Sequence, residues 1–419
     1  MPSHWASRLK SPLLFLCHRI PFPPNKGDKI RSFHLLRHLS KDYDIYLATF
    51  VDDPDDWQWI PELEKYCKDS VFVELKPSMA KVRSLSSFVS GKPLSLPYYS
   101  SSQLQKWIDG KITEFSISHL LVYSAVMSQF VMQGNFDFDR KILDFVDIDS
   151  DKWSQYSSQK PWPLSWLYRR EGRLLLEAER EAASFFDASL FVSSAEADMF
   201  RTLVPENTSK IGFYNNGVDA AYFNPKIVLD NPYTDNQQVL VFTGAMDYWP
   251  NVDAVTWFAE EVFSELKLRE PGLCFYIVGS NPTSAVTQLG LLDGVTVTGR
   301  VEDVRPYIKH AIASVAPMRI ARGIQNKVLE AMAMEKIVIV SAKGLEGIQA
   351  TNGEHVLVAD SISEVRECVL RVINGNYLDI GGNARSKICR LFSWEESLPE
   401  VANLLSVTSS SEEQESVGV

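Results

Sequence analysis

Short apolar runs, each bounded by polar, glycine- or proline-bearing turns, set the rhythm of this chain. Leu13–Cys17 reads as a buried strand, and the loop Pro21–Asp28 follows it. Apolar side chains then recur at Ile30, Phe33, Leu35, Leu36 and Leu39, a helical spacing that ends near Ser40. Asp44–Phe50 returns to a strand pattern. Strand, loop, helix and strand in this order open a doubly wound α/β domain. Further strands are predicted at Leu120–Tyr123, Lys141–Phe145 and Ala188–Val192, with a long charge-rich helix over Tyr168–Phe186.

The pattern restarts after a turn-rich stretch, Tyr214–Pro225, and a polar segment, residues 226–237, that reads as a linker. Val239–Gly244 begins a second α/β series. It continues with a helix around Asp253–Leu266 and strands at Cys274–Val278, Thr296–Thr298 and Ser314–Ala316. Arg322–Met334 then places a glycine-bearing loop before a small-residue helix, which runs into the apolar strand Lys336–Ser341. The sequence has no internal repeat, although one architecture occurs twice. Residues 409–415 are polar and acidic, and disorder is expected there.

A length of 419 residues exceeds one ordinary core and suits two domains. Hydrophobic content of 45% and charged content of 23% are those of a globular protein. A net charge of −11 argues against nucleic acid as a partner, since phosphate binding needs clustered cations. Residues 1–41 nevertheless hold eight Lys/Arg against one acid, Asp28. Two readings stand for that segment: a basic lobe resting on an anionic membrane or attracting a diphosphate, and a solvated face balanced elsewhere. The five cysteines are scattered and never form a C-x-x-C pair, which suits free thiols in a reducing compartment. Leu13–Cys17 is too short for a signal core, and no run reaches membrane-spanning length. The expectation is a cytoplasmic protein, with peripheral contact to the inner membrane face as an option.

Chemistry concentrates at Arg322–Met334. A loop-to-helix start offers free backbone N–H groups and a positive dipole end to a phosphate, here from Gly323, Ile324 and Gln325. Glu330 sits among apolar neighbours, where an ion is costly unless paired, and it is placed to accept hydrogen bonds from ribose hydroxyls. The segment therefore reads as half of a nucleotide-sugar site. Arg322 and Lys327 border the helix start as candidate phosphate cations. Surface solvation, or an i,i+3 pair of Lys327 with Glu330, is the alternative.

In the first half, Asn25-Lys26-Gly27-Asp28 precedes a helix, and Gly27 would let backbone approach a phosphate or sugar. The alternative is a simple helix-start turn with Asp28 as N-cap. Asp144–Trp153 holds an acidic cluster with three open readings: loop or N-cap acids, a divalent cation site, or Asp147 and Asp149 holding an acceptor hydroxyl. The histidines have no metal-ligand spacing, and no nucleophile signature is present.

The run R-G-I-Q-N-K-V-L-E-A-M-A resembles the signature of the family 4 retaining glycosyltransferases, which have the GT-B fold. In that family a glutamate opens the loop and a second lies eight positions later. Glu330 matches the second, whereas the first falls on Arg322. Asn216-Gly217-Val218-Asp219 with Phe223-Asn224-Pro225 is similar to the element that ends the family's first lobe. Asn383–Glu395 resembles its closing element. The first-lobe run H-R-I-P-F-P-P-N-K-G-D-K-I-R and the acidic cluster add a resemblance to the sugar transferases of exopolysaccharide and PEP-CTERM/exosortase clusters.

The resemblance implies two Rossmann-like domains facing across a cleft. Residues 1–225 would be the acceptor side, 226–237 the linker, 238–390 the nucleotide-sugar side, 391–405 a helix crossing back, and 406–419 a tail. It assigns Gly27 and Gly244 to the donor diphosphate and the backbone around Arg300 and Val301 to the base, alongside Gly323–Gln325 and Glu330. Family members often carry an arginine and a lysine in the loop after Gly244, and this chain has neither there. Arg300, Arg319, Arg322 and Lys327 are the substitutes available, with Arg322 and Lys327 better placed. Arg322, Lys327 and Asp149 are the implied catalytic candidates, and Asn25, Lys26, Asp28 and Asp147 the acceptor-side ones.

The implied reaction moves a sugar from a nucleotide-diphosphate donor to a glycan or lipid-linked acceptor, with retention and with neither metal nor further cofactor. Two alternatives stay open: a nucleotide-sugar epimerase of the same fold, and a silent nucleotide-sugar-binding partner in polysaccharide assembly. A dehydrogenase is disfavoured, because neither lobe opens with G-x-G-x-x-G.

Overall fold

A computed structural model describes residues 10–24, 27–159, 161–234, 237–321, 323–377 and 379–406. The chain divides into two compact units, Met1–Tyr214 with Leu398–Val419, and Asn215–Ser397.

The first unit is built on seven parallel strands: β1 (Ser11–Cys17), β2 (Tyr43–Val51), β3 (Asp69–Glu74), β4 (His119–Tyr123), β5 (Arg140–Val146), β6 (Ala188–Phe191) and β7 (Ile211–Phe213). Their order is β3-β2-β1-β4-β5-β6-β7. Leu13, Leu14, Phe15 and Leu16 are all fully buried, as expected of a parallel strand covered on both faces. The order reverses between β1 and β4, so the loops after those strands open the crevice where ligands bind in such sheets. The pattern of apolar runs found β1, β2, β4, β5 and β6. It missed β3 and β7, which are short or only half-buried.

Helix Gly27–Leu39 follows β1 and turns Phe33, Leu35, Leu36 and Leu39 into the core, with Ile30 only half-buried. Three cations of this region, Arg19, Lys29 and Arg31, turn inward to carboxylates, while Lys10 and Lys41 are exposed. Arg19 pairs with Asp28 at 2.7 Å and with Asp52 at 2.9 Å, and Lys29 pairs with buried Asp56. Arg31 is fully buried against Asp144. A cation leaves water only with a carboxylate to meet it, and the partners come from other segments of the unit.

The second unit holds six parallel strands: β8 (Gln238–Thr243), β9 (Leu273–Val278), β10 (Val295–Gly299), β11 (Ala313–Ala316), β12 (Ile337–Val340) and β13 (Leu357–Val358). Their order is β10-β9-β8-β11-β12-β13, with the reversal between β8 and β11. Each unit is therefore a Rossmann-like α/β layer structure. The two-residue β13 was invisible to periodicity.

Two boundaries differ from expectation. Residues 215–225 belong with the second unit, because the Val218 N–H donates to Phe392 O at 2.7 Å and Arg385 donates to Phe223 O and Ala220 O. The supposed linker is mostly exposed among its described residues but is tied to the second unit at Leu229 and Tyr233. Tyr233 is buried and donates to Tyr307 O at 2.6 Å, and His310 donates to Leu229 O at 2.9 Å. The last helix, Trp394–Ser406, starts in the second unit and counts with the first from Leu398 onward. The acidic stretch 409–415 lies outside the described residues.

Candidate functional site

Two glycines let the loops after β8 and β9 touch. The Gly244 N–H donates to Val278 O at 3.0 Å, and a Cβ on Gly279 would lie 1.6 Å from Gly244 O. Gly244 has φ +155°, and a side chain there would meet the Asn251 Nδ2 at 2.7 Å. Asn251 is buried in the first turn of helix Trp249–Trp257. Its amide bridges two loops: Nδ2 donates to Ala245 O at 2.9 Å, and Oδ1 accepts from Lys327 Nζ at 2.7 Å.

Lys327 comes from the segment after β11, across the point where the strand order reverses. Gly323 takes φ +66°, and Gln325 Nε2 donates to Gly323 O at 3.1 Å. Gln325 is extended at the N-cap of helix Asn326–Ala333 and gives no side-chain cap. Val328, Leu329, Ala331, Met332 and Ala333 face the core, which fixes Lys327 and Glu330 on the remaining side. Lys327 also sits 5.0 Å from the Phe242 ring. Burial pulls the Lys327 ammonium down to about 8, with the Glu330 charge opposing. Burial likewise pushes the Glu330 carboxyl up to about 7, against the pull of Lys327.

No ion pair joins these two residues, so the i,i+3 alternative does not describe them; Lys327 is held by Asn251 instead. Among the described residues, none donates a hydrogen bond to the Glu330 carboxylate. It is half-buried, on the first turns of a helix whose N-terminus carries no side-chain cap. A carboxylate kept partly from water and given no protein donor is suited to accept hydroxyl donors from a ligand.

Other candidates separate from this pair. Arg319 is committed to Asp253, with Nε to Oδ2 at 3.0 Å, and does not serve as a free phosphate cation. Arg300 is exposed just after Gly299, and Val301 packs with the cluster of Tyr233, Val239 and Val241. Ile324 is buried, held against Gly347. Arg322 lies outside the described residues. Sequence reasoning missed Asn251, the residue that ties the two loops together. It also missed Arg305, which sits 3.7 Å over the Tyr222 ring and pairs with Asp303 at 2.7 Å.

In the first unit, Gly27 starts the helix after β1, while Asn25 and Lys26 lie outside the described residues. Burial alone would raise the Asp28 carboxyl. The hydrogen bond from His18 and the charges of Arg19 and His18 instead hold it well below the usual carboxylate range. Asp28 is thus a committed partner of Arg19 and lies inside the helix rather than at an N-cap. Asp147 and Asp149 both receive Lys152, at 2.8 Å and 3.3 Å, and Asp149 opens helix Asp149–Gln159. That is the arrangement of loop and first-turn acids. Asp144 belongs to Arg31 and to Tyr214, whose hydroxyl donates to it. Among the described residues, no three His, Cys, Asp or Glu side chains form a metal-holding group.

Residues 237–375, all within the second unit, match the family model described as glycosyl transferases group 1. No curated protein matches the chain. Among solved structures, sucrose-phosphate synthase from Thermosynechococcus elongatus is similar at 16% identity and a TM-score of 0.68, covering 94% of this chain and 98% of that one. WaaG, a glycosyltransferase involved in lipopolysaccharide biosynthesis, gives 15% and 0.64 over 94% and 99%. Anabaena HepE in complex with UDP and glucose gives 14% and 0.64, also over 94% and 99%. These likenesses show the fold: two parallel-sheet Rossmann-like units of the GT-B type.

Proposed function

We propose that the chain transfers a sugar from a nucleotide-diphosphate sugar to a hydroxyl of a glycan or lipid-linked acceptor. The observation that carries this reading is Glu330: half-buried, without a protein hydrogen-bond donor, and within a segment that matches a glycosyltransferase family. Glu330 accepts the ribose hydroxyls. The N–H groups opening helix Asn326–Ala333 and the Lys327 ammonium meet the diphosphate. The loop at Gly244 admits the donor close to backbone. A nucleoside diphosphate leaves readily once its charge is neutralised, so cations and helix N–H groups supply most of the help, and no metal is required. Retention and a place in exopolysaccharide synthesis follow from the sequence resemblance to family 4 members. UDP is the first nucleotide to try, since HepE was crystallised with UDP and glucose.

The test is a thermal-shift and calorimetric screen of UDP-, GDP-, ADP- and dTDP-sugars against the parent chain and Glu330→Ala. One nucleotide class should raise the melting temperature of the parent, and Glu330→Ala should weaken its binding roughly tenfold or more. If no nucleotide sugar shifts the parent, the donor site is wrong. A second reading rests on Arg322, which stands where family members carry the sugar-facing acid. A silent binding partner would bind the donor without release of nucleoside diphosphate in the presence of any acceptor.

A further inference from the structure

One surface of the first unit is patterned inside out. Helix Pro77–Ser84, the turn Leu85–Ser86 and the short helix Ser87–Ser90 direct small residues inward: Ala80, Ser84 and Ser87 are 1%, 7% and 0% exposed. The large apolar residues point out. Met79, Val82, Leu85 and Val89 are 65%, 70%, 60% and 94% exposed, and Phe88 is 46% exposed. Spacings of three, three and four residues put them on one stripe. A water-facing helix gains nothing from that arrangement, and apolar clusters of this kind mark interaction sites.

Helix Leu164–Phe185 extends the patch. Its Arg170 donates to Ser87 O at 2.8 Å and lies 4.9 Å over the Phe88 ring. One turn earlier on the same face stands Trp166, 54% exposed, and before the helix Trp162, 81% exposed.

Charge singles out the partner. From Leu75 to Ile108 the sequence holds Lys76, Lys81, Arg83, Lys92 and Lys106 and no Asp or Glu, within a chain whose net charge is −11. Lys81, Lys92 and Arg169 are exposed, and no carboxylate of a described residue pairs with them. Exposed tryptophans beside unpaired cations and an apolar stripe are the signature of an interfacial surface on anionic lipid. A second copy docking face to face would set Lys81 and Lys92 against like charge, which disfavours self-association. No helix among the described residues is long and apolar enough to cross a membrane, so the contact is peripheral.

We propose that this face docks on an anionic lipid surface. Met79, Val82, Leu85, Phe88 and Val89 enter the boundary between headgroup and acyl chain, and Lys81, Lys92 and Arg169 meet the headgroup phosphates. The proposal deepens the reading of a lipid-linked acceptor but does not need it: membrane binding and donor binding fail independently.

The experiment floats the full chain with phosphatidylcholine vesicles, with and without phosphatidylglycerol. Recovery with the anionic vesicles should exceed that with neutral ones roughly tenfold and fall at high salt. Leu85→Ser/Val89→Ser and Lys81→Glu/Lys92→Glu should each lose most of it, with melting temperatures unchanged because all four residues are exposed. Val228→Ser/Leu268→Ser, at exposed apolar positions of the second unit, should float as the parent does. Equal recovery on neutral vesicles, no recovery at all, or unaltered recovery of the first two variants would overturn the proposal. So would a dimer in light scattering that Leu85→Ser/Val89→Ser dissolves while vesicles capture nothing.

Discussion

Lys327 Nζ lies 2.7 Å from Asn251 Oδ1, joining the helix after β11 to the helix after β8 across the reversal in strand order. Asn251 holds the ammonium without neutralising it, so the charge stays available to an incoming diphosphate. Removing the charge with Lys327→Met should weaken nucleotide-sugar binding roughly ten- to a hundredfold by calorimetry. Asn251→Asp supplies a competing carboxylate at the same place and should weaken the donor too, while raising the lysine's pKa. Undiminished binding by Lys327→Met would remove Lys327 from the diphosphate.

Donor affinity should peak in a narrow pH range. Glu330 is ionised above about 7 and Lys327 is protonated below about 8, so both wanted charge states coexist between these values. Affinity measured across pH should fall on both sides, with Glu330→Gln losing the acidic limb and Lys327→Met the alkaline one. Stability carries the matching signature. Between about 4.5 and 7 the native Glu330 keeps a proton that the unfolded chain has lost, so its contribution declines as pH rises. Between about 8 and 10.5 the native Lys327 has lost a proton that the unfolded chain keeps, so its contribution climbs with pH. A flat affinity profile from pH 6 to 9 would contradict both assignments.

The pair Arg31–Asp144 should be among the costliest in the first unit to break. Both side chains are fully buried, with Nε to Oδ2 at 2.8 Å and Nη2 to Oδ1 at 3.2 Å. The guanidinium also donates to Tyr214 O and Phe191 O. Asp144→Ala strands a buried cation and should cost about 3–5 kcal/mol in urea unfolding. The double change Arg31→Met/Asp144→Leu should cost less than Asp144→Ala alone. A loss under 1 kcal/mol for the single variant would contradict this account.

Glu179 predicts a pH effect far from the donor loops. Burial pushes its carboxyl up to about 8, although Ser150 donates to it through both its hydroxyl and its N–H, at 2.5 and 3.0 Å. The native group stays protonated between about 4.5 and 8 while the unfolded one ionises, so stability falls as pH rises through that window. Glu179→Gln should flatten the slope and raise the melting temperature at pH 8.5. Identical pH profiles for parent and variant would show that the carboxyl is already ionised.

The sites differ in how they could be read. Glu330 stood out in the sequence because Leu329, Ala331 and Met332 around it are apolar, and the helix start before it was marked by Gly323. Asn251 carried no such mark: a polar residue in a helix's first turn is commonplace, and its role comes from a lysine 76 residues away. The acids of 144–149 looked like one cluster along the chain. Folding separates them, because successive positions of a strand end and its loop point differently: Asp144 turns inward to Arg31, while Asp147 and Asp149 turn to Lys152. Arg19, Lys29 and Arg31 read as part of a basic surface for a similar reason, since the carboxylates that meet them lie from 9 to 113 residues distant.

Periodicity by itself determined two parallel α/β units and the loop-helix element bearing Lys327 and Glu330, because strand and helix repeats are local and buried strands must be apolar throughout. Tertiary structure alone decided which charges are consumed and which stay available. Pairing depends on proximity in space, and burial sets its strength, so Arg19, Lys29, Arg31 and Arg319 are bound to carboxylates. Lys327 and Glu330 are not, and the patch at 79–89 remains exposed to whatever meets it.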